Sequence, residues 1–349
     1  MIRKIILENI QKYPDSEITD IVKLVFQNEF GGGHLISDEK VSLERLRKEI
    51  ENTKFNKDIP FSEDIGNGIS RLNLANLSPN ITAEAINLCF IASAKEIVGT
   101  KDSFENKISE IYKLCRENLL PFGVKELDQY MEKYRNAGYP PVSHSEKYRS
   151  SYKPAYRILK NEYIETLAAV TLIEKVYQKE RVLVAIDGRC ASGKTTLAEK
   201  LKKIFNCDII HMDDFFLPFE KRTPERLAEP GGNIDYERFE KEVLNSFHNS
   251  AVFSYGVFNC NSGKIESERV IKPSNIIITE GSYSLHPKFS DSYNVKIFVS
   301  TDSDTQIERI KARNGEKLLK MFKDRWIPME ENYFNTFNIE NLSDIKIYT

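Results

Sequence analysis

The sequence predicts two structural parts: a mainly α-helical part over residues 1–178, and an α/β domain with a doubly wound, mostly parallel sheet over residues 179–349. Two observations support this division. In the first half, apolar residues recur mostly at helical spacing. In the second half, short β-branched runs alternate with helical patterns, which is typical of a doubly wound α/β domain. The polar run Gln178–Glu180 separates the two patterns and marks the expected boundary.

The helical prediction for the first half depends on separate apolar stripes with recognisable ends. Ser16 is the expected N-cap of the second stripe and Ser103 that of the third, because serine hydroxyls accept hydrogen bonds from a first helical turn. A longer pattern from about Pro154 to Glu180 predicts a further helix, since proline is tolerated in a first turn. The three stripes are Ile2, Ile5, Ile6 and Ile10; Ile18, Ile21, Val22, Val25 and Phe26; and Phe104, Ile108, Ile111 and Cys115.

Uninterrupted apolar runs in the second half predict strands that are buried on both faces, as in a parallel sheet covered by helices. An amphipathic helix follows the first strand, with Leu197, Leu201 and Ile204 on its apolar face. The predicted strands are Arg181–Asp187, Asp208–Met212, Asn275–Thr279, Val295–Ser300 and Ile345–Tyr348.

The composition argues against several classes of protein. The 50 basic and 52 acidic side chains give a net charge of −2, which is unlike a DNA coat protein or a polybasic membrane binder. No uncharged apolar run approaches the ~18–20 residues that cross a bilayer, and the N-terminal residues lack the apolar region of a signal peptide. The five cysteines have no CxxC spacing and indicate reduced thiols. We therefore expect a cytoplasmic protein without a membrane partner.

The segment from Gly188 to Thr195 matches the pattern GxxxxGK[ST]. Its glycines let successive backbone N–H groups face one phosphate chain, and the following helix adds its positive N-terminal dipole. In this pattern Lys194 reaches the β- and γ-phosphates, and the Thr195 hydroxyl ligates Mg²⁺. The predicted nucleotide-binding residues are Gly188, Arg189, Cys190, Ala191, Ser192, Gly193, Lys194, Thr195 and Thr196.

Acidic residues follow two of the other predicted strands. Asp213 and Asp214 come directly after the second strand, and Glu280 ends the third. The carboxyl ends of parallel strands line the ligand crevice of an open sheet, so an aspartate there is placed to accept a proton from an acceptor hydroxyl or to hold metal. Glu280 stands where a Walker-B-type carboxylate is expected. Helix N-caps for the aspartates and a solvated strand end for the glutamate are the structural alternatives.

These motifs, in this order, resemble the uridine kinase and phosphoribulokinase-like branch of the P-loop kinases. The resemblance covers about residues 181–340 and is carried by GRCASGKTT, HMDDFF, NIDYERF, TEGSYSLHP and a terminal segment with paired arginines. It implies a P-loop NTPase fold, ATP and Mg²⁺ as cofactors, and an alcohol group as the phosphoryl acceptor. It also implies Asp213 as the catalytic base or hydroxyl-orienting group, with Thr195, Asp213 and Glu280 around the metal.

The same resemblance implies residues for the acceptor and for the transferred phosphoryl group. Asp235 in NIDYERF matches the aspartate that holds ribose hydroxyls in uridine kinases; the alternative is that Asp235 is the N-cap of a helix beginning at Tyr236. Arg309 and Arg313 resemble catalytic lid arginines that clasp phosphates, with a solvated helix face as the alternative. The predicted substrate-binding residues are Asp214, Asp235, Tyr255 and Arg325.

The sequence also departs from the family pattern. Tyr255 is followed five positions later by Cys260, where the family has a histidine. A thiol cannot replace an imidazole as a strong donor, which leaves base specificity open. The terminal segment lacks a dense arginine run, whereas the loop Pro218–Gly232 is long and carries Lys221 and Arg222. This loop is either a lid over the acceptor or an ordinary surface loop.

Two features of the first half are candidates for a second site. The run Phe30–His34 (FGGGH) permits close approach of backbone to an anion, or simply forms a helix C-cap and turn. Between Tyr130 and Tyr163, tyrosines are interleaved with arginine and lysine, which stack on bases and pair with phosphates or else cover a helical core. His144, Arg149 and Arg157 are candidates for a second anion or substrate site facing the kinase cleft.

Three functional hypotheses follow. The leading one is an ATP-dependent small-molecule kinase that transfers the γ-phosphoryl group to a hydroxyl of a nucleoside or similar ribosyl compound, on the basis of Asp235 and Tyr255. Because of Cys260, a non-nucleoside alcohol such as a vitamin precursor, sugar phosphate or amino acid is the second. The third is an NTP-hydrolysing regulator whose helical part senses a partner. A nucleic-acid partner is not expected from the near-neutral charge, and a homodimer is left open.

Overall fold

The computed structural model describes residues 1–178, 181–249, 252–272 and 274–349. Contacts divide the chain into two compact units, Met1–Leu167 and Ala168–Thr349. The boundary predicted between residues 178 and 179 falls at Lys179 and Glu180, which lie outside the described residues. Among the described residues, no helix combines the length and the apolar character that a membrane span requires.

The first unit is mainly helical and contains a small antiparallel sheet. Strand β2 pairs with β1 on one side and with β3 on the other. Its core is formed by helices α1, α2, α5 and α6, whose apolar stripes meet in one cluster that includes Ile6, Ile21 and Phe104. The elements are α1 (Ile2–Lys12), α2 (Ile18–Phe30), α3 (Glu39–Asn52), β1 (Ser62–Asp64), β2 (Ile69–Asn73), α4 (Ala83–Glu96), α5 (Lys101–Arg116), α6 (Val124–Asn136), α7 (Glu146–Tyr152), β3 (Tyr156–Lys160) and α8 (Asn161–Ile164).

Both predicted serine N-caps are wrong, although the helices themselves form. Helix α2 is capped by Glu17, whose backbone N–H donates to Asp20 Oδ2 at 3.0 Å in a capping box, while the Ser16 hydroxyl donates to a carbonyl of the preceding turn. Helix α5 is capped by Thr100, which accepts a hydrogen bond from the backbone of Ser103. In each helix, a residue close in sequence to the predicted serine takes the N-cap position instead.

The single helix predicted from Pro154 is also wrong. Residues Tyr156–Lys160 form strand β3, and the helical pattern is then divided between α8 and α9 (Leu167–Tyr177). The strand forms because its partner β2 supplies antiparallel hydrogen bonds in a register that faces Arg71 with Ile158. That partner lies far earlier in the chain, so the local periodicity does not reveal it.

The second unit contains a five-stranded parallel sheet with the strand order β10-β9-β4-β8-β5. All four neighbouring pairs are parallel, which confirms the predicted doubly wound α/β class. The strands are β4 (Val182–Gly188), β5 (Asp208–His211), β8 (Ile276–Glu280), β9 (Val295–Ser300) and β10 (Ile345–Tyr348). Every residue of β4 and β8 is buried, as expected for strands covered on both faces.

Helices and one hairpin complete the second unit. Helix α10 packs against the strands β4, β5 and β8. The hairpin, which the sequence analysis did not predict, joins β6 (Phe253–Asn259) and β7 (Lys264–Ile271) and carries Tyr255 and Cys260. The helices after α9 are α10 (Lys194–Phe205), α11 (Pro224–Ala228), α12 (Tyr236–Phe239), α13 (Asn245–Asn249), α14 (Ser303–Met321), α15 (Ile327–Phe337) and α16 (Ile339–Leu342).

Candidate active site

The loop between β4 and α10 is shaped by residues with positive φ. At Gly188 (φ 137°), a Cβ would lie 1.9 Å from the carbonyl oxygen of Val299, so only glycine fits. Ala191 (φ 59°) and Gly193 (φ 97°) continue the curl, and α10 begins at Lys194. A curled loop followed by a helix N-terminus is the arrangement that binds phosphate groups.

The side chain of Lys194 folds back over this loop and is only 8% exposed. Its Nζ donates to the carbonyl oxygens of Gly188 at 2.7 Å and Arg189 at 2.9 Å, and to Ser282 Oγ at 3.3 Å. All three acceptors are neutral. A phosphate oxygen is a stronger acceptor for an ammonium group than a carbonyl is, so Lys194 is placed to exchange these bonds for contacts with a nucleotide.

Thr195, Glu280 and His211 form a connected group at the strand ends. The Thr195 hydroxyl donates to Glu280 Oε2 at 3.0 Å, and Glu280 Oε1 lies 2.5 Å from His211 Nδ1. The hydrogen bond to Glu280 raises the pKa of His211. Because β5 and β8 are paired in a register that sets His211 beside Glu280, the sheet itself fixes this contact.

Asp213 lies in the turn that follows β5 directly. Its side chain keeps access to solvent. Even so, desolvation by surrounding protein raises its pKa, and the negative charges of Glu280 and Glu330 raise it further, while Lys194 acts in the opposite direction. The predicted base therefore shares its electrostatic environment with the loop lysine and the strand-end carboxylate. A raised pKa suits a carboxylate that accepts a proton.

The same group of oxygens suits a magnesium ion. Within the described part of the chain, no three histidine, cysteine, aspartate or glutamate side chains form a group that could hold a metal by themselves. Magnesium is usually held by one or two carboxylates together with substrate phosphates and water. The Thr195 hydroxyl and the Glu280 carboxylate, 3.0 Å apart, fit such a shared site.

Glu330 is a part of the site that sequence reasoning missed. It lies on α15 and is 7% exposed. Its Oε2 accepts the backbone N–H of Cys190 at 2.9 Å, and its Oε1 accepts the Ser282 hydroxyl at 2.6 Å. The carboxylate thus ties the phosphate-binding loop to the segment after β8. Nothing in the run PMEEN distinguishes Glu330 from its neighbour Glu331.

Asp187 fixes the same region from the other side. It is fully buried at the end of β4 and accepts backbone N–H groups from Gly188, Tyr283 and Leu285, as well as the Tyr333 hydroxyl at 2.8 Å. Burial raises its pKa to about 6 despite these donors. The Asp187 carboxylate therefore links the start of the phosphate-binding loop to the segment that follows β8.

On the acceptor side, the structure brings together Asp214 and Tyr255. The Tyr255 hydroxyl donates to Asp214 Oδ2 at 2.9 Å, and Arg269 Nη1 lies 3.4 Å from the same oxygen. Tyr255 is 1% exposed, and burial raises its pKa further above 10. The tyrosine therefore stays protonated and serves as a donor that orients Asp214.

Asp235 is held by groups of the protein. It is 1% exposed and caps α12 by accepting the backbone N–H of Arg238, while its Oδ2 accepts a bond from Lys221 Nζ at 3.0 Å. The alternative role as an N-cap is therefore present in the structure. A ribose hydroxyl would have to take the place of Lys221 on this carboxylate.

Arg238 connects Asp214 and Asp235 and was not predicted. Its Nη2 donates to the carbonyl oxygen of Asp214 and its Nη1 to that of Gly256, both at 2.6 Å. Its guanidinium lies over the ring of Phe215 at 4.3 Å. Besides its local partners Asp235 and Glu242, it binds backbone carbonyls that are distant in sequence, and no local pattern reveals those contacts.

Cys260, Arg222 and Arg325 form the outer part of this side. Cys260 is exposed; surrounding protein raises its pKa, as does the charge of Asp213. Arg222 donates to the Leu217 carbonyl at 2.8 Å, and its pKa is lowered by burial and by the positive charge of Arg325. Arg222 thus lies within electrostatic reach of both Cys260 and Arg325, which adds positive charge near the cysteine.

The two predicted lid arginines occupy different places. Arg309 Nη1 donates to the carbonyl oxygen of Ala191, in the phosphate-binding loop, at 3.4 Å and to Thr349 Oγ1 at 2.7 Å. Arg313 Nε donates to the adjacent Asn314. Both side chains are exposed on α14, so only Arg309 is in direct contact with the loop.

Comparison with known proteins shows the family of the second half of the chain. A model of the phosphoribulokinase / uridine kinase family matches residues 183–317. The uridine kinase of Clostridium botulinum (strain Okra / Type B1) is 30% identical over 145 residues, which are 38% of this chain and 68% of that protein. The chain belongs to the phosphoribulokinase / uridine kinase family. The uridine kinase of Chlamydia pneumoniae is 28% identical over 151 residues, covering 39% of this chain and 65% of its own length.

The chain thus spans about two thirds of the length of these relatives, and the matches lie within the second unit. Among solved structures, one described as a possible uridine kinase from Bacillus stearothermophilus has 18% sequence identity and a TM-score of 0.38, and the match covers 50% of this chain and 97% of that one. A second, described as the YGR205w protein, has 17% identity and a TM-score of 0.38 over 54% of this chain and 92% of that one.

Proposed function

We propose that the protein is an ATP-dependent kinase that transfers the γ-phosphoryl group to a hydroxyl of a small molecule, with a nucleoside or similar ribosyl compound as the leading acceptor. The observation that supports this most directly is the grouping of Lys194, the Thr195–Glu280 pair and Asp213 at the ends of neighbouring parallel strands. Family membership agrees with it. A phosphate-binding loop alone indicates nucleotide binding. A carboxylate beside the loop can also accept the proton of a hydroxyl, which phosphoryl transfer to that hydroxyl requires.

Each residue has a role that its environment supports. The loop N–H groups and Lys194 bind the phosphates, so catalysis consists mainly of positioning and charge stabilisation. Asp213 accepts the proton of the acceptor hydroxyl, which its raised pKa favours. Arg309, which already contacts the loop, is the lid arginine we expect on the transferred group.

A magnesium ion, bound by Thr195 and Glu280 together with ATP, would neutralise charge on the phosphates. The residues around it have separate tasks. Glu280 also accepts a hydrogen bond from His211, which fixes the orientation of its carboxylate, and Asp213 stands next to the pair on the adjoining strand end.

For the acceptor, Asp214 and Tyr255 form a polar pair beside Asp213 that can bind sugar hydroxyls. One observation favours a second class of acceptor, an alcohol that also carries an anionic group. Arg222 and Arg325 lie close enough to lower the pKa of Arg222, and Cys260 replaces the histidine of the family pattern. An anionic substituent would pair with the two guanidinium groups.

The experiment is an ATP-consumption screen with Mg²⁺ against nucleosides, vitamin precursors, sugars, sugar phosphates and amino acids, with every product identified by mass. Phosphorylation of an uncharged nucleoside supports the first acceptor class, and phosphorylation of an anionic alcohol supports the second. ATP loss that is independent of any acceptor contradicts the kinase proposal and favours an NTP-hydrolysing regulator.

Asp213→Asn tests the base. It should lower the transfer rate about 10²–10⁴-fold and leave ATP affinity nearly unchanged, because the phosphate loop is intact. Asp291→Asn, which removes the same charge from a fully exposed side chain, is the matched control. Retained turnover in Asp213→Asn contradicts the assignment of the base.

A further inference from the structure

The first unit contains a group of three basic side chains, the cationic cluster, made of Lys23, Arg71 and Arg149. They come from α2, β2 and α7. Lys23 Nζ donates to the Val142 carbonyl at 2.6 Å. Burial, together with the positive charges of Arg71 and Arg149, lowers the pKa of Lys23 to about 8. Lys23 is therefore close enough to both arginines to be repelled by them.

Arg71 is the centre of the cluster and is 2% exposed. Its Nε and Nη2 both donate to Gln27 Oε1, at 3.0 and 2.8 Å, and its guanidinium lies 4.8 Å from the ring of Tyr156. Among the described residues it forms no ion pair. Its Nη1 has no hydrogen-bond acceptor in that part of the chain, although the side chain as a whole is almost fully buried. This nitrogen is the donor of Arg71 that remains for a ligand.

A second buried arginine of the same sheet shows what the usual arrangement would be. Arg157 on β3 is 4% exposed and forms an ion pair with the carboxylate of Glu49. A buried charge without a counter-ion is costly. Arg157 has a carboxylate in direct contact, whereas Arg71 has none among the described residues, although the two arginines lie on paired strands.

Two carboxylates of this region, Glu63 and Asp20, bind other groups, although the charge of Glu63 still raises the pKa of Arg71. Glu63 lies opposite Arg71 on β1, but its oxygens contact Lys12 Nζ at 3.2 Å and the Tyr13 hydroxyl at 3.1 Å. Asp20 accepts bonds from His144 and from both the backbone and the hydroxyl of Ser145.

A chain of hydrogen bonds holds Arg71 in place. His144 Nδ1 lies 2.7 Å from Asp20 Oδ1, and His144 Nε2 lies 2.6 Å from the Tyr156 hydroxyl. That hydroxyl accepts a bond from Gln27 Nε2 at 3.1 Å, which turns Gln27 Oε1 toward Arg71. Burial lowers the pKa of His144 to about 4, so the imidazole is neutral and adds no competing cation. The guanidinium is therefore preorganised.

We propose that the cationic cluster is a binding site for a small oxyanion, a phosphate or carboxylate group of a metabolite. Arg71 Nη1, Lys23 Nζ and the exposed Arg149 side chain supply the donors. The bound anion provides the charge that neutralises Arg71, and the hydrogen-bond chain through Gln27 and Tyr156 sets its geometry. The site lies wholly within the first unit and is independent of the kinase proposal.

The test measures binding of inorganic phosphate by calorimetry and by thermal unfolding. It uses the full chain carrying Lys194→Ala, so that the loop of the second unit does not contribute. Phosphate should bind and raise Tm, and Arg71→Gln should abolish both effects. Arg149→Gln should raise the dissociation constant about tenfold, the typical weight of a charge-assisted hydrogen bond. Lys147→Gln on the same helix, an exposed residue paired with Asp15, should change it less than about twofold.

Each outcome decides. Equal dissociation constants in the Arg149→Gln and Lys147→Gln variants, or equal stabilisation by chloride at the same ionic strength, overturn the proposal. Titration with acetate in place of phosphate distinguishes a carboxylate ligand from a phosphate ligand. Arg149-dependent binding of either anion supports an oxyanion site, and the tighter of the two identifies the preferred group. Binding of neither anion overturns the proposal. If Arg71→Gln does not fold, Arg149→Gln and Lys23→Gln carry the test, with circular dichroism as the check of folding.

Discussion

Each unit of the molecule buries a cation whose hydrogen bonds go to neutral acceptors. Lys194 in the second unit donates to two loop carbonyls and a hydroxyl, and Arg71 in the first donates to a glutamine amide. In both places the fold buries a cation that has no carboxylate in direct contact, an arrangement that an incoming anion would stabilise. The comparison indicates that a buried cation with neutral hydrogen-bond partners is a candidate anion site in either architecture.

The two regions differ in how they are built. The loop around Lys194 uses consecutive backbone groups, so its shape is contained in eight residues. The cluster around Arg71 uses side chains from α2, β2 and α7, which tertiary packing brings together. The first therefore responds to changes in the loop itself, and the second to changes in elements that are distant in sequence.

The largest effect expected is that of Lys194→Ala. It should lower kcat/KM for ATP about 10²–10³-fold or more, as removal of a preorganised donor does, and should leave phosphate binding by the cationic cluster intact. Lys203→Ala, an exposed change on the same helix, is the control. Steady-state kinetics and phosphate titration together measure both sites. If Lys194→Ala also removed the Arg71-dependent binding, the two sites would not be separate.

The next effect concerns the carboxylate behind the phosphate loop. Glu330→Ala leaves the buried Cys190 N–H without its acceptor, at a cost of about 1–3 kcal/mol. The Ser282 hydroxyl loses its shorter bond and keeps the Gly188 carbonyl at 3.3 Å. Glu331→Ala is the matched control, because Glu331 is half-buried and pairs with Arg189 near the surface, a contact worth less than about 1 kcal/mol. Urea unfolding of the two variants gives the difference. Equal losses would show that Glu330 does not support the loop.

A third effect is a pH dependence that arises from Lys23. Its pKa is about 8 in the folded chain and about 10.4 when unfolded, so the folded chain binds fewer protons in this window. The free energy of unfolding therefore increases as pH rises from 8 toward 10, by about 1–3 kcal/mol. Below pH 8, Lys23 is protonated in both states, and the folded chain bears the full cost of burying its charge. The groups that face Lys23 are Arg71 and Arg149, which lower its pKa, and Asp20, which raises it.

Lys23→Met isolates this contribution. The rise in Tm between pH 8 and 9.5 should be smaller in Lys23→Met than in the unmodified chain, and saturating phosphate should reduce the difference by pairing with the ammonium. An unchanged pH profile in Lys23→Met would mean that the pKa of Lys23 is not lowered in the folded chain, and Lys23 would then not be a buried, unpaired cation of the cluster.

Much of the second unit was predictable from sequence because its strands and its phosphate-binding loop are each specified by residues that are adjacent in the chain. A parallel strand buried on both faces is a continuous apolar run, and β9 was predicted with the bounds that the structure gives. The phosphate loop is a fixed spacing of glycines and one lysine. Asp213 and Glu280 were predictable as neighbours, since strand ends of a parallel sheet meet at one edge.

What escaped prediction depends on contacts distant in sequence. Strand β3 forms only because β2 pairs with it, so its residues looked like the start of a helix. Glu330 binds the Cys190 N–H and the Ser282 hydroxyl, and Arg238 binds the carbonyls of Asp214 and Gly256. These partners are distant in sequence, so no local pattern indicates the contacts. His144, Arg149 and Arg157 were anion-site candidates from the sequence. Arg71, the centre of the cluster, was not, because its partners Gln27 and Tyr156 are distant in sequence.

The smallest expected effect concerns Arg269, a cation that, unlike Lys194 and Arg71, lies beside a carboxylate. The variant removes the other donor to that carboxylate, the Tyr255 hydroxyl. Arg269 lies beside the Asp214 carboxylate, and the Tyr255 hydroxyl donates to the same oxygen. Tyr255→Phe removes one neutral donor and should raise KM for the acceptor about 3–10-fold, the weight of one hydrogen bond, while KM for ATP is unchanged. Tyr236→Phe, which removes a hydroxyl bound to Glu229, is the control. A large fall in kcat for Tyr255→Phe would instead mean that the hydroxyl touches the reacting atoms, because a residue that only orients Asp214 affects binding more than chemistry.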